Sequence, residues 1–144
     1  MDKIEYPLYQ PKIKKKDEKE LIFDEVRKRW VVLTPEEWVR QNFLNYLIQI
    51  KKYPASLIAV EKKIKLGDLK KRFDIVVYDK NSKPRMIIEC KEMNVVLDKK
   101  VLDQALRYNI TLQAPYLVIT NGSYCMAVSF ENNMMTELDV LPEL

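Results

Sequence analysis

The sequence predicts an α/β fold, a central mixed β-sheet flanked by helices, on three observations. Residues 73–77 and 86–88 are almost continuously apolar apart from Asp74, which suits central strands covered on both faces. Two stretches with helical periodicity, 35–52 and 98–112, stand on either side of them. Turn signals at Gly67-Asp68, 79–83 and Asn121-Gly122 divide the apolar runs at strand spacing. The resulting order is α-β-β-β-α-β-β, a helix-and-sheet sandwich.

In chain order, residues 1–30 form an N-terminal extension of mixed charge. Within it 11–15 and 20–23 can pair as a small hairpin around Lys16-Asp17-Glu18. The first helix, 35–52, has Thr34 as its N-cap and Pro35 at its first position, with Glu37 completing a capping box. Val39, Phe43, Tyr46, Leu47 and Ile50 recur at helical spacing, and Pro54 ends the run. Strands are expected at 57–66, 72–78 and 85–91. Asp98 caps the second helix, and strands at 115–120 and 123–130 follow, turned by Asn121-Gly122. The main domain is therefore 31–130. Residues 131–144 carry Glu131, Glu137, Asp139 and Glu143 and no basic residue, and are expected to be a loosely held acidic tail.

Composition narrows the chemistry. The chain has 144 residues, enough for one domain with one core. Hydrophobic residues make up 47% and charged residues 32%, a balance that favours a globular rather than a disordered chain. No apolar run approaches the roughly 20 residues of a membrane span, and residues 1–10 lack a signal-peptide core, so a cytoplasmic protein without a membrane partner is expected. Cys90 and Cys125 lie in apolar stretches and form no Cys-x-x-Cys pair, which argues against a disulfide framework or zinc site. Histidine is absent, which excludes Ser-His-Asp and Cys-His hydrolysis and His-ligated zinc. With only Gly67 and Gly122, there is no P-loop or dinucleotide fingerprint, so no nucleotide cofactor is expected. The net charge of +4 permits an anionic partner.

Carboxylates, lysines or a bound metal are left to carry catalysis. If strands 72–78 and 85–91 form an antiparallel hairpin turning at Asn81-Ser82, Asp74 falls opposite Glu89, with Cβ atoms roughly 5 Å apart. Lys91 lies two residues beyond Glu89 and so shares its face. Two carboxylates that close call for a cation. Mg²⁺ is the natural one, with Mn²⁺ able to substitute, and the Cys90 backbone carbonyl can supply a further oxygen. Such a metal polarises a phosphate and activates water, while Lys91 orients the water or stabilises the developing charge. The alternative is a plain salt-bridge cluster, common in so charged a chain.

Five segments taken together resemble a known family: Thr34-Pro35-Glu36-Glu37-Trp38-Val39-Arg40-Gln41, Arg72-Phe73-Asp74-Ile75-Val76, Ile88-Glu89-Cys90-Lys91, Gln104-Ala105-Leu106-Arg107-Tyr108-Asn109 and Pro115-Tyr116-Leu117-Val118-Ile119-Thr120-Asn121-Gly122. In this order they look like the N-terminal nuclease domain of type I restriction enzyme R subunits, in its short stand-alone form, over about 31–130. The resemblance implies a PD-(D/E)XK restriction-endonuclease-like core and a metal-dependent endonuclease acting on DNA. On that likeness Asp74 and Glu89 hold Mg²⁺, Lys91 is the catalytic lysine, and Gln104 and Tyr108 contact DNA or support the site. Related folds bring a further acid from the first helix, and Glu37 is preferred over Glu36. The chain has no room for the ATP-driven motor of large R subunits, so translocation is not expected. A non-catalytic nucleic-acid-binding or interaction module of the same fold is the alternative function.

Three secondary signals remain. Gln104 and Tyr108 are four apart and share a helix face with Val101, Ala105 and Leu112, which fits a core stripe equally well. Lys62, Lys63, Lys65, Lys70, Lys71 and Arg72 surround the Gly67 turn. There, Lys70, Lys71 and Arg72 either grip phosphates or protect a solvated edge. Trp30 and Trp38 read as packing residues, with base stacking the open alternative. A single site of this type cuts one strand, so a homodimer or partner subunit is expected for double-strand cleavage.

Overall fold

The computed structural model describes residues 1–6, 10–132 and 134–143. The described elements are β1 (Asp2–Lys3), β2 (Ile13–Lys16), β3 (Lys19–Asp24), β4 (Arg29–Val32), α1 (Pro35–Asn45), β5 (Ile58–Leu66), β6 (Leu69–Tyr78), β7 (Pro84–Cys90), α2 (Lys99–Leu112), β8 (Tyr116–Thr120), β9 (Tyr124–Glu131) and β10 (Met134–Leu138). Seven strands form one mixed sheet in the order β1-β9-β8-β7-β6-β5, with β10 sharing the outer edge of β9 with β1. The pair β7–β8 is parallel and the others are antiparallel. The parallel pair needs a crossover, and α2 supplies it. The predicted α/β class and the order of its main elements therefore hold.

Each face of the sheet carries its own apolar layer. Val39, Phe43, Leu44 and Leu47 pack on Ile75, Val77, Met86 and Ile88 on one face. On the other, Leu97 and Leu102 pack with Phe73, Val76, Ile87, Leu117, Ile119 and Val128. Two-sided burial is why β6 and β7 read as unbroken apolar runs rather than alternating ones.

Local chemistry sets the element ends. Thr34 Oγ1 accepts from the Glu37 amide at 3.0 Å, capping α1. The reciprocal half of the expected capping box is not made, because the Glu37 carboxylate is taken by Arg27, Arg40 and Gln41. The predicted helix 35–52 is an α-helix to Asn45 continued by one π-helical turn, Tyr46–Ile50. Asp98 caps α2 by accepting from the Val101 amide. In the β6–β7 turn, Asp79 Oδ1 accepts from the amides of Asn81 and Lys83.

Both ends of the chain differ from expectation. In the extension the expected hairpin forms, β2 pairing with β3 from Ile13↔Ile22 to Lys16↔Lys19, and β4 adds an unexpected third antiparallel strand. That strand contains Trp30-Val31-Val32, which looks in sequence like the lead-in to α1. The described residues of the acidic end, 131–132 and 134–143, are not a loose tail. The chain turns at Asn132, with φ of 51°, and β10 pairs with β9 from Met134↔Glu131 to Leu138↔Ala127. Leu141 is buried, and Tyr53 Oη donates to the Pro142 carbonyl. Backbone pairing and one apolar anchor outweigh the solvation of the acids, which stay on the exposed side. Among the described residues no helix is long and apolar enough to cross a membrane.

Gly122 fastens the β8–β9 turn to α1. Its φ is +92°, and a Cβ there would lie 3.2 Å from Val39 Cγ2. Gly67 also has positive φ, +61°, but meets nothing within 4 Å. Gly122→Ala should therefore lose about 1–3 kcal/mol, the cost range of a residue forced into a sparsely populated conformation, with the side-chain clash added. Gly67→Ala should lose about 1 kcal/mol from conformation alone. Urea unfolding of both variants checks the order.

Candidate functional site

The site forms where two strand ladders stop. The β6–β7 register runs Val77↔Met86, Val76↔Ile87 and Ile75↔Ile88, so the next positions outward are Asp74 and Glu89. On the other side of β6, Val60↔Ile75 and Lys62↔Phe73 pair, while Glu61 between them has φ of 53°. Phe73 and Val76 pack in the same layer although three residues apart, and Ile75 packs in the opposite one. A regular strand alternates with period two, so β6 turns over at Asp74. That break places the Asp74 carboxylate at the sheet end rather than within either layer. Its Oδ2 accepts from the Cys90 amide at 2.8 Å and its Oδ1 from Arg40 Nη1 at 3.2 Å.

Glu89 faces the α2 side. It lines a small open hollow of about 80 Å³ with Lys71, Lys91, Gln104, Val101, Ala105 and Ile119. Lys71 Nζ is 3.9 Å from Glu89 Oε1. That oxygen is buried and, among the described residues, has no hydrogen-bond partner, a costly state for a carboxylate. Burial and then the Asp74 charge push the Glu89 carboxyl up to about 8, against the smaller opposing pull of Lys71 and Lys91.

Behind Asp74 lies a buried ion network. Glu37 on α1 is 5% exposed, whereas Glu36 points to solvent. Arg40 Nε and Nη2 donate to Glu37 at 2.7 and 2.8 Å, and Nη2 also to Glu61 at 3.1 Å. Arg27 Nη2 reaches Glu37 at 3.1 Å, and Arg27 Nε donates to Asp24. Gln41 bridges Asp24 and Glu37 at 3.0 and 3.1 Å. Burial alone would raise the Asp24 and Glu37 carboxyls, but hydrogen bonds from Arg27 and Gln41 to Asp24, and from Arg40 and Gln41 to Glu37, hold both below the usual range. Four carboxylates (Asp24, Glu37, Glu61 and Asp74) thus share two guanidiniums, Arg27 and Arg40. The exposed Arg72 touches only the rim, at Glu61, 3.8 Å away.

The hollow brings together Glu89, Lys91, Gln104 and Lys71; Asp74 is next to Glu89 but outside that lining, bonded to Arg40 and the Cys90 amide. Glu37 reaches Asp74 only through Arg40. The Cys90 amide is bonded to Asp74, and its thiol is buried in the α1 layer. The Tyr108 side chain lies outside the described residues. The basic trio divides: Lys71 faces the hollow, while Lys70 and Arg72 are exposed, opposite Lys65 and Lys63 across the β5–β6 hairpin. Arg27, Asp24 and Glu61 were not legible as site neighbours, because their partners are up to 34 residues away in sequence. Among the described residues, no three acidic or cysteine side chains converge as a ready-made metal cage.

A raised carboxyl pKa has a definite stability signature. The Glu89 contribution is fully present below its ordinary value of 4.5 and is lost as pH rises through about 8, since the unfolded chain releases that proton first. In EDTA, stability should fall across this window. Asp74→Asn removes the neighbouring charge and should shrink the fall. Urea midpoints from pH 4.5 to 8.5 measure it, and equal slopes in parent and variant would show that the two carboxyls do not interact.

The comparisons with known proteins place the chain in a family. No curated protein matches the chain. Among solved structures, the cryo-EM structure of the DrdV–DNA complex is similar, with a TM-score of 0.50 and 18% identity over 72% of this chain. This chain spans 10% of that one, and at such identity the likeness concerns the fold. The family model described as type I restriction enzyme R protein N terminus matches residues 35–142, from the first residue of α1 to beyond β10. The chain thus belongs to the family of type I restriction enzyme R protein N-termini.

Proposed function

We propose that the chain is a Mg²⁺-dependent nuclease that hydrolyses phosphodiester bonds in DNA. The observation that carries this reading is the adjacency of Asp74 and Glu89, the positions just beyond the last β6–β7 ladder pair, with Glu89 Oε1 buried and undonated beside Lys91 and Gln104. The donor set fits the ion. Two carboxylates and the Cys90 carbonyl leave room for the waters and phosphate oxygen that Mg²⁺ keeps in its shell, and the network behind them is short of positive charge. Mg²⁺, or Mn²⁺ in its place, would be held by Asp74, Glu89 and the Cys90 carbonyl, and when bound supplies phosphate polarisation and a more acidic attacking water. Lys91 orients that water by donating to it or stabilises the charge growing on the phosphoryl oxygens. Lys71 and Gln104 hold the neighbouring phosphate. Glu37 acts by fixing Arg40, which in turn fixes Asp74. The R-protein family and the DNA bound to a structural neighbour favour DNA as the polymer. Cutting both strands requires two such sites, so a second copy or a partner subunit belongs to the proposal.

A second reading, a binding module without catalysis, rests on Asp74. Both of its oxygens already accept bonds, from Arg40 and the Cys90 amide, and among the described residues the site has no third converging acid.

Incubation with linear, circular and branched DNA separates the two. Cleavage in Mg²⁺ or Mn²⁺ but not in EDTA is expected, with Asp74→Asn, Glu89→Gln and Lys91→Ala each slowed by at least about 100-fold, the scale of removing one donor to the transition state. Millimolar Mg²⁺ should also raise the melting temperature of the parent and much less that of Asp74→Asn. Absence of both cleavage and thermal shift overturns the nuclease reading.

DNA affinity should fall steeply with salt. Replacing Lys70, Lys71 and Arg72 by Ala should flatten the slope of log affinity against log salt by up to about 0.9 for each phosphate no longer neutralised. An unchanged slope makes the hairpin a solvated edge.

A further inference from the structure

We propose that the outer face of the β2-β3-β4 sheet is a stacking platform for single-stranded nucleic acid, built from Phe23 and Trp30 with Lys12, Lys14, Lys16 and Lys19. The sheet precedes the family match, which begins at residue 35. Its inner face is identified by Ile22 and Asp24, both wholly buried. Alternation along β3 therefore turns Lys19, Leu21 and Phe23 outward. The pairings Phe23↔Trp30, Leu21↔Val32, Lys14↔Leu21 and Lys16↔Lys19 put their partners on that same face, and the Phe23 amide bonds the Lys12 carbonyl.

This face is chemically uneven. Its apolar members, Leu21, Phe23, Trp30 and Val32, belong to neither apolar layer of the main sheet. Val32 is 52% exposed. Phe23 and Trp30 meet edge to face at 5.3 Å, so neither ring stacks flat on the other. Lys14 Nζ lies 4.2 Å from the Trp30 ring centroid and Lys12 Nζ 5.8 Å from that of Phe23. All four lysines are exposed, and among the described residues none is ion-paired with a carboxylate. The acids of β3, Glu20 and Asp24, have the opposite parity and belong to the other face, where Glu20 is exposed and Asp24 buried. A sheet face with two half-buried aromatic rings, four exposed ammoniums and no acid is complementary to a polymer of flat bases and phosphates. A duplex hides its base faces, and an acidic protein would leave the rings unmatched, so the unpaired strand fits best. Phosphates would take the ammoniums now parked over the rings, and bases would take their places on the rings.

The proposal stands whether or not the chain cleaves. Its test uses the full chain in EDTA, with Trp38→Phe making Trp30 the sole indole and an unlabelled oligo-dT of about 15 nucleotides as probe, within the known range of single-strand site sizes. Quenching of Trp30 emission that saturates with the oligonucleotide is expected. Lys16→Glu with Lys19→Glu, exposed changes that touch neither ring, should weaken the affinity at least tenfold. Trp30→Ala, followed by anisotropy with a labelled probe, should weaken it at least fivefold, and Trp30→Phe should restore most of the loss, which separates stacking from mere folding. Oligonucleotide binding that leaves Trp30 emission unchanged, duplex competing as well as single strand, or anionic vesicles giving the same quenching would each overturn the platform.

Discussion

Arg40 is the cation on which the arrangement of the polar interior depends. It projects from α1, binds Glu37 one turn back on its own helix, and reaches Glu61 on β5 and Asp74 on β6. Glu37 in turn holds Arg27, which also reaches Asp24 at the end of β3 and Glu61 on β5. The N-terminal sheet, α1 and the end of the β5–β6 ladder are thus joined through two guanidiniums. A buried ion pair of this kind adds little to net stability against an apolar substitute, yet removing one partner leaves an uncompensated charge. Its role is geometric: planar forks with fixed donor directions determine where the Asp74 carboxylate can sit.

The site itself is held together by apolar force. Asp74 and Glu89 repel, and the burial of Glu89 makes it costly to ionise both. They remain adjacent because Ile75, Val76, Val77, Met86, Ile87 and Ile88 are each no more than 1% exposed, and sliding the register by one residue would turn every one of these side chains to the wrong layer. Two-sided burial therefore fixes the meeting of two carboxylates that would otherwise separate.

Much of this was legible in the sequence, for identifiable reasons. Thr34-Pro35 and Asp98 are local capping signals, and both helices start where those signals stand. The apolar runs and their turn implied the 75/88 register, because antiparallel pairs sum to a constant once the turn is located. What was hidden depends on long-range contact. The Glu61 break, which turns β6 over at Asp74, leaves no local pattern. Arg27 looks like any loop arginine. Strand β4 hides in the approach to α1, and β10 hides behind its acids, since an exposed edge strand can be polar throughout and its pairing depends on the backbone of β9.

The β5–β6 hairpin opposes Lys63 to Arg72 and Lys65 to Lys70. Like charges directly across a ladder repel, and the glycine at the tip contributes no packing. This hairpin is held at its apolar base, Ile58↔Val77 and Val60↔Ile75, and its weakest pairs are those toward Gly67. Amide protons near the tip therefore exchange with solvent through small openings, while those at the base wait for the whole sheet to come apart. Added salt, by screening the tip, slows the first kind of exchange and leaves the second almost unchanged.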